Sequence, residues 1–227
     1  MQGLLIASAK VASCVAPAIT LFLISTTAAP VWGETGSNNT ASYRRVLDDK
    51  RYLITRTNLV TRDGLRDPYF GFVDANIGYR LSDRWTVSAG YRHAMLELPS
   101  GLRQEYRPQL DVIYKAGWDK WRFQNRARLD FRFFEGSADN HVRLRNLSIW
   151  TAPVKLLDDQ LTPYLSNEFF YEFTENNFNL NWLTLGVSYA VSKSVKITAG
   201  YRWQAQKSND DWSSSNILVT EISFISF

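Results

Sequence analysis

The stretch Trp121–Phe134 reads WRFQNRARLDFRFF, and it alternates strictly between two kinds of residue. From 122 to 132 the even-numbered positions are polar and include four arginines and Asp130, whereas the odd-numbered positions are mostly aromatic or aliphatic. Because successive side chains of a β-strand point to opposite faces, the pattern predicts a strand with one charged and one apolar face. Strands of globular proteins are usually about five or six residues long, so this length is typical of a strand that crosses a lipid bilayer.

A strand with lipid on one face and charges on the other requires a closed barrel, because an open sheet edge in lipid leaves backbone groups unpaired. From Arg51 onward the chain is a series of strand-length segments separated by turns. We assign ten segments: 51–62, 68–81, 85–97, 104–115, 121–134, 141–152, 162–173, 180–191, 195–206 and 216–227. The sequence therefore predicts an all-β fold, a closed antiparallel transmembrane β-barrel of about ten strands formed by residues 51–227.

The turns predict the orientation of this barrel. Tight turns at 82–84, 117–119 and 192–194 are typical of short periplasmic turns, and the segments 98–103, 135–140, 174–179 and 207–215 of modest outer loops. Both ends of the barrel would then lie in the periplasm. Aromatic residues beside the tight turns predict a membrane-interface girdle there: Tyr79, Trp85, Tyr114, Trp118, Trp121, Tyr164, Tyr189 and Phe227.

The first fifty residues have a different composition. A weakly basic start, an apolar run over 11–24 and small residues before Glu34 predict a signal peptide at 1–33. Together with the predicted barrel, the signal peptide indicates a bacterial outer-membrane location. Residues 34–50 are rich in Gly, Ser, Asn and Thr and then charged, so we predict a flexible periplasmic lead-in. The single cysteine, Cys14, lies in the predicted signal peptide, which leaves the mature protein without a thiol.

The charged face of each segment is expected to line the lumen, because an arginine on the lipid face at the bilayer midplane costs about 2–4 kcal/mol. The expected lumen-lining residues are Asp74, Arg80, Arg92, Arg107, Asp111, Arg122, Arg126, Arg128, Asp130, Arg132, Arg143, Arg145, Glu168, Glu172, Lys196 and Arg202. A barrel of about ten strands is only slightly wider than one that side chains fill. Arginines paired with acids would therefore largely fill the lumen, and a narrow anion-preferring channel is the alternative.

Few residues point to an enzyme. The chain has two histidines, and only His141, two residues after Asp139 at an outer loop, could form an acid–histidine pair for a hydrolase at the outer rim. No phosphate-binding motif or cluster of metal ligands is present in the sequence, so we expect no catalytic residues, no metal and no cofactor. The basic residues alternate into the lumen, which disfavours nucleic acid as a partner despite a pI of about 9.2.

The runs NRARLDFRFF (125–134), VRLRN (142–146) and TPYLSNEFFYEF (162–173), with a last strand that ends on Phe227, resemble a family of small bacterial outer-membrane barrels. That family is uncharacterised and is catalogued only as a domain of unknown function. The resemblance covers about 51–227 and implies a small outer-membrane barrel without assigning any catalytic residue. The terminal Phe227 resembles the carboxy-terminal assembly signal of such barrels.

These observations give three functional hypotheses. The first is a structural or envelope-interaction barrel with a charged, largely filled lumen, the second a narrow anion-preferring pore, and the third an outer-rim hydrolase. The expected partners are outer-membrane lipids, lipopolysaccharide and the barrel-assembly machinery, and we expect a monomer.

Overall fold

A computed structural model describes residues 35–154, 156–157, 160–208 and 211–227. The predicted signal peptide lies outside the described residues. Within them, no helix is long and apolar enough to cross a membrane.

The described residues form eleven strands in one closed barrel. Their bounds are β1 Gly36–Val46, β2 Arg51–Asp63, β3 Arg66–Arg80, β4 Trp85–Leu98, β5 Gly101–Trp118, β6 Trp121–Phe134, β7 Asn140–Thr151, β8 Leu161–Glu172, β9 Asn177–Ala190, β10 Val195–Ser208 and β11 Asp211–Ser226. Strands that follow one another in the chain pair as antiparallel neighbours throughout. The predicted closed all-β barrel of about ten strands is confirmed, and the stretch that predicted it is β6.

The barrel is closed by β1, which the sequence did not predict. This strand pairs antiparallel with β2 and parallel with β11, and Gly36 lies beside Ile217 in the parallel pair. The prediction of a flexible lead-in at 34–50 is therefore wrong for Gly36–Val46. The physical reason is that both edges of the remaining sheet need hydrogen-bonding partners in lipid, and β1 supplies them to β2 and β11 together.

An odd strand count places the two ends of the barrel chain at opposite mouths. The mouth that contains Phe227 and the connections 47–50, 81–84, 119–120, 152–160 and 191–194 is called the C-terminal mouth. The mouth that contains Thr35 and the connections 64–65, 99–100, 135–139 and 173–176 is called the N-terminal mouth. The expectation that both ends share one side is thus wrong, because β1 adds one more crossing.

The connections at the two mouths are similar in length. Those at the N-terminal mouth, expected to be outer loops, are short because the strands extend into them; β4 ends at Leu98 and β5 begins at Gly101. The longest connection, 152–160, lies at the C-terminal mouth. Loop length therefore does not decide which mouth faces the periplasm.

The barrel has its polar residues inside and its apolar residues outside. Large apolar side chains such as Val73, Met95 and Leu185 are half or more exposed on the outer wall, whereas Asp130, Arg128 and Glu172 have at most 1% of their surface exposed. Soluble proteins show the opposite arrangement. The outer wall is therefore suited to lipid, and the fold is that of a transmembrane barrel.

Aromatic residues surround the C-terminal mouth. Trp85 packs on Tyr114 with ring centroids 4.8 Å apart, and Phe123 contacts Trp150 at 5.6 Å. Tyr164 differs from the prediction, because its ring lies inside the barrel against Gly186, where an added Cβ would be only 2.7 Å from the ring. Tyr164 therefore belongs to the lumen filling and not to the girdle.

Several amides lie on the outer wall and satisfy one another. Asn125 donates hydrogen bonds to Asn146 at 2.8 Å and to Ser148 at 2.9 Å, and Asn167 donates to Asn181 at 3.1 Å. Because a polar group in an apolar environment is costly only when it is unpaired, this pairing lets the amides remain on the lipid-facing wall.

Candidate functional site

The charged lumen is the candidate functional site, and the strand registers bring its residues together. Arg128 of β6 lies between Asp111 of β5 and Arg145 of β7, and the next inward position, Asp130, lies opposite Arg143. All sixteen residues that the sequence places in the lumen lie at inward-facing positions of these registers. Arg80, Arg122 and Lys196 are exposed near the C-terminal mouth, and the other thirteen lie deeper.

The central part of the lumen is held by the pair Asp111–Arg128. The guanidinium of Arg128 donates to both carboxylate oxygens of Asp111, from Nε at 2.5 Å and from Nη2 at 2.8 Å. Ser88 donates to the same carboxylate at 2.8 Å, and Arg128 also donates to the side-chain oxygen of Gln109 at 2.8 Å. Such bidentate charge-assisted bonds are among the strongest polar contacts in proteins.

A second group fills the half of the lumen nearer the N-terminal mouth. Glu105 accepts hydrogen bonds from Arg107 at 2.6 Å and from Arg132 at 2.6 Å, and Arg132 continues to Glu172 at 3.2 Å. The buried carboxylate of Asp130 lies 3.5–3.7 Å from three guanidinium groups, those of Arg107, Arg143 and Arg145. These ion pairs connect strands β5 to β8 across the lumen.

A third group lies beside β8. Glu168 accepts hydrogen bonds from Arg126 at 2.9 Å and from two nitrogens of Arg145 at 2.9 and 3.0 Å. Arg202 of β10 lies over the ring of Trp182, with its guanidinium carbon 4.2 Å from the ring centroid, and donates to Thr184 at 3.3 Å. The carboxylate of Glu168 thus compensates the positive charges of Arg126 and Arg145. Arg202 is held mainly by its contacts with the aromatic ring of Trp182 and the hydroxyl of Thr184.

A fourth group of ion pairs joins strands β2, β3 and β4. Asp74 accepts hydrogen bonds from Arg56 at 2.9 Å and from Arg92 at 2.7 Å. Arg92 also lies over the ring of Phe72 at 3.6 Å. The network therefore extends around much of the barrel wall and occupies the central part of the lumen.

Sequence reasoning missed several inward residues. Glu105 and Lys115 have the same parity on β5 as Arg107 and Asp111, so the alternation could have identified them. Arg44 and Arg56 lie on β1 and β2, where the alternation is weak, and Glu221 lies on the irregular last strand. Only the register of the closed barrel assigns these three to the lumen.

The two histidines contact polar and aromatic side chains. His93 lies on the outer wall, where Nε2 is 2.9 Å from the side-chain oxygen of Gln104 and the ring stacks on Tyr106. His141 lies 4.0 Å from Glu172 and packs edge-on against Phe134, and no contact with Asp139 is found among the described residues. No group of three or more potential metal ligands occurs in the described part of the chain.

The fold and the lumen define a small transmembrane β-barrel with ion-paired side chains in the central part of its charged interior. The chain belongs to the family described as "Protein of unknown function (DUF2490)", which matches residues 35–215. The resemblance to an uncharacterised barrel family is thereby confirmed, and the match includes β1, which the sequence analysis had left outside the barrel.

The barrel is also similar to a solved structure, the NanC porin in its rhombohedral crystal form. The similarity covers 83% of this chain and 97% of the porin chain, with a TM-score of 0.54 and 14% sequence identity. At this identity the similarity shows a shared fold. No curated protein matches the chain.

Proposed function

We propose that this protein is an outer-membrane barrel with a structural or envelope-interaction role, and that it does not conduct ions in its resting state. The observation that supports this role is the burial of the central network. Asp74, Asp130 and Arg128 each have at most 2% of their surface exposed, although their side chains point into the lumen. A water-filled channel at this level would leave these side chains exposed.

The proposed location rests on the outer wall and on the fold similarity to a porin. In this location the barrel contacts outer-membrane lipids and lipopolysaccharide, and the barrel-assembly machinery inserts it as a monomer. The expected observations are recovery with outer membranes and different migration of boiled and unboiled protein on a gel. Recovery of folded protein in the soluble periplasmic fraction contradicts this location.

Conductance tests the closed lumen. Purified wild-type barrel in a planar bilayer is expected to show no steady current. The double variant Arg126→Ala with Arg128→Ala removes partners of Glu168 and Asp111, so we expect a less stable barrel that leaks. The matched control is Arg122→Ala with Lys196→Ala, which removes two exposed inward charges and is expected to stay silent.

A narrow anion-preferring pore is the second candidate. It is favoured by an excess of basic over acidic side chains in the lumen, and Arg44, Arg80 and Lys115 make no ion pair among the described residues. A stable wild-type current with anion preference, reduced by the double arginine variant without loss of folding, supports this candidate and contradicts a closed barrel. A rim hydrolase stays a prediction, and cleavage lost in His141→Ala is its test.

A further inference from the structure

A cavity of about 200 Å³ lies inside the lumen near the C-terminal mouth. Its wall includes Arg80 at the end of β3, Thr86 near the start of β4 and Lys115 near the end of β5, so it adjoins that mouth. Its deeper wall includes Asp111 and Arg128, the pair that holds the centre of the lumen. The cavity is therefore a pocket that adjoins the mouth and ends at the ion-pair network. We call it the vestibule.

The vestibule has a strongly basic lining. Its charged residues are six cations and one acid: Arg44, Arg56, Arg80, Lys115, Arg126, Arg128 and Asp111. Three of the cations have acidic partners: Arg56 pairs with Asp74, Arg126 with Glu168, and Arg128 with Asp111 of the lining itself. The other three, Arg44, Arg80 and Lys115, lack an acidic partner within the described residues. The electrostatic potential in this pocket therefore favours anions.

Two buried hydrogen-bond donors in the lining lack partners. These are the Nε–H groups of Arg44 and Arg126, for which the described residues provide no acceptor. The Arg44 guanidinium is oriented by the ring of Tyr52, with its carbon 3.8 Å from the ring centroid. Because a buried donor without an acceptor is costly, an anion with several oxygens would satisfy groups that the protein leaves unsatisfied.

We propose that the vestibule binds a small soluble molecule that carries a phosphate group. A multivalent oxyanion matches both the planar donor forks of arginine and the surplus of positive charge. The volume of the pocket suits a phosphate group with few further atoms, and the remainder of the ligand would extend into the mouth. A lipid headgroup is disfavoured because the pocket lies inside the barrel wall, whereas the acyl chains of lipids lie outside it.

The test uses isothermal titration calorimetry of the purified full-length barrel with inorganic pyrophosphate, at constant ionic strength. We expect saturable binding with one site per barrel. The variant Arg80→Gln with Lys115→Gln removes two lining charges that have no ion pair in the described chain. We expect it to bind pyrophosphate at least about tenfold more weakly, because charge-assisted hydrogen bonds are lost.

The matched control is Lys50→Gln with Lys193→Gln. It removes the same charge from turns at the same mouth, outside the vestibule lining, and is expected to bind as the wild type does. A second variant, Arg44→Lys, retains the charge but removes the unpaired Nε–H, and we expect it to weaken binding too. Arg44→Lys provides an independent measurement if the Arg80→Gln, Lys115→Gln variant does not fold, as judged by the loss of heat-modifiable migration on a gel.

Absence of saturable binding to the wild type at millimolar pyrophosphate overturns the proposal. Equal loss of pyrophosphate affinity in the turn control and in the vestibule variant also overturns the proposal, because binding would then depend on the net charge of the mouth and not on the vestibule. Titration of barrel in nanodiscs with phosphatidylglycerol separates the sources of the phosphate. Competition by this lipid would assign the vestibule to a headgroup and overturn the soluble ligand. These measurements need no conductance, so they can fail or succeed independently of the closed lumen.

Discussion

Replacement of Asp130 by Asn tests whether the lumen filling depends on specific charge compensation. The carboxylate is fully buried and lies 3.5 Å from Arg143, 3.6 Å from Arg107 and 3.7 Å from Arg145. Arg107 has a second acidic partner in Glu105, and Arg145 has one in Glu168. Within the described residues, Arg143 pairs with Asp130 alone. Asp130→Asn therefore leaves one guanidinium without a compensating charge.

The size of the effect follows from this arrangement. The side chain of Arg143 is 11% exposed, and loss of one partner from a buried ion pair costs about 3–5 kcal/mol. The oxygens of Asp130 make no hydrogen bond within the described residues, so the loss is electrostatic. We therefore expect the lower end, about 3 kcal/mol of unfolding free energy. Asn has nearly the volume of Asp, so no cavity contributes to this value.

The assay measures unfolding of the barrel in phospholipid vesicles by guanidinium chloride, with tryptophan fluorescence as the readout. The rescue variant adds Arg143→Met, which removes the uncompensated charge; we expect a stability within about 1 kcal/mol of the wild type. The control Asp130→Asn with Arg107→Met should give no rescue, because Arg107 keeps Glu105 as a partner. A coupling energy below about 0.5 kcal/mol between positions 130 and 143 would refute this reasoning.

Three further predictions concern assembly. Deletion of 36–46 should prevent heat-modifiable barrel formation, because β1 pairs with both β2 and β11; normal migration of the truncated protein would show that ten strands close alone. Gly186→Val should lower the unfolding free energy by more than about 1 kcal/mol, because the added Cβ would lie 2.7 Å from the Tyr164 ring. An unchanged midpoint of unfolding in guanidinium chloride would argue against this packing. Phe227→Asp should reduce the membrane yield, and wild-type yield on immunoblots would assign closure to other residues.

The alternation of polar and apolar residues in Trp121–Phe134 was sufficient to predict the barrel wall and its two faces. It identified a strand with the same bounds as β6, and the face that it assigned to the arginines is the inner face. This succeeds because lipid imposes a sharp free-energy difference between the two faces of a strand. His93 also has the outward parity of its strand, and the structure places it on the outer wall.

The alternation failed on β1 for a related reason. The outward positions of GSNNTASYRRV are Ser37, Asn39, Ala41, Tyr43 and Arg45, so polar residues interrupt the outward face and the strand has no continuous apolar face. Its outward polar groups bond instead to neighbouring strands, Ser37 with Thr61 at 2.7 Å and Asn39 with Thr220 at 2.7 Å. A single sequence cannot reveal this compensation, because the partners lie in β2 and in the last strand and become neighbours only on closure.

Depth in the lumen separates most of the paired charges from the unpaired ones, and Arg202, which lies over Trp182, is the exception. Desolvation of a buried charge is costly, so Arg128 and Arg145, at 1% and 8% side-chain exposure, lie against carboxylates. Arg80 and Lys115, near the C-terminal mouth, remain hydrated and need no partner within the chain. Alternation assigns a charge to a face but contains no information on its depth. Three of the cations without an acidic partner among the described residues, Arg44, Arg80 and Lys115, consequently line the vestibule, while Asp111, Asp130 and Glu168 lie deeper among arginines.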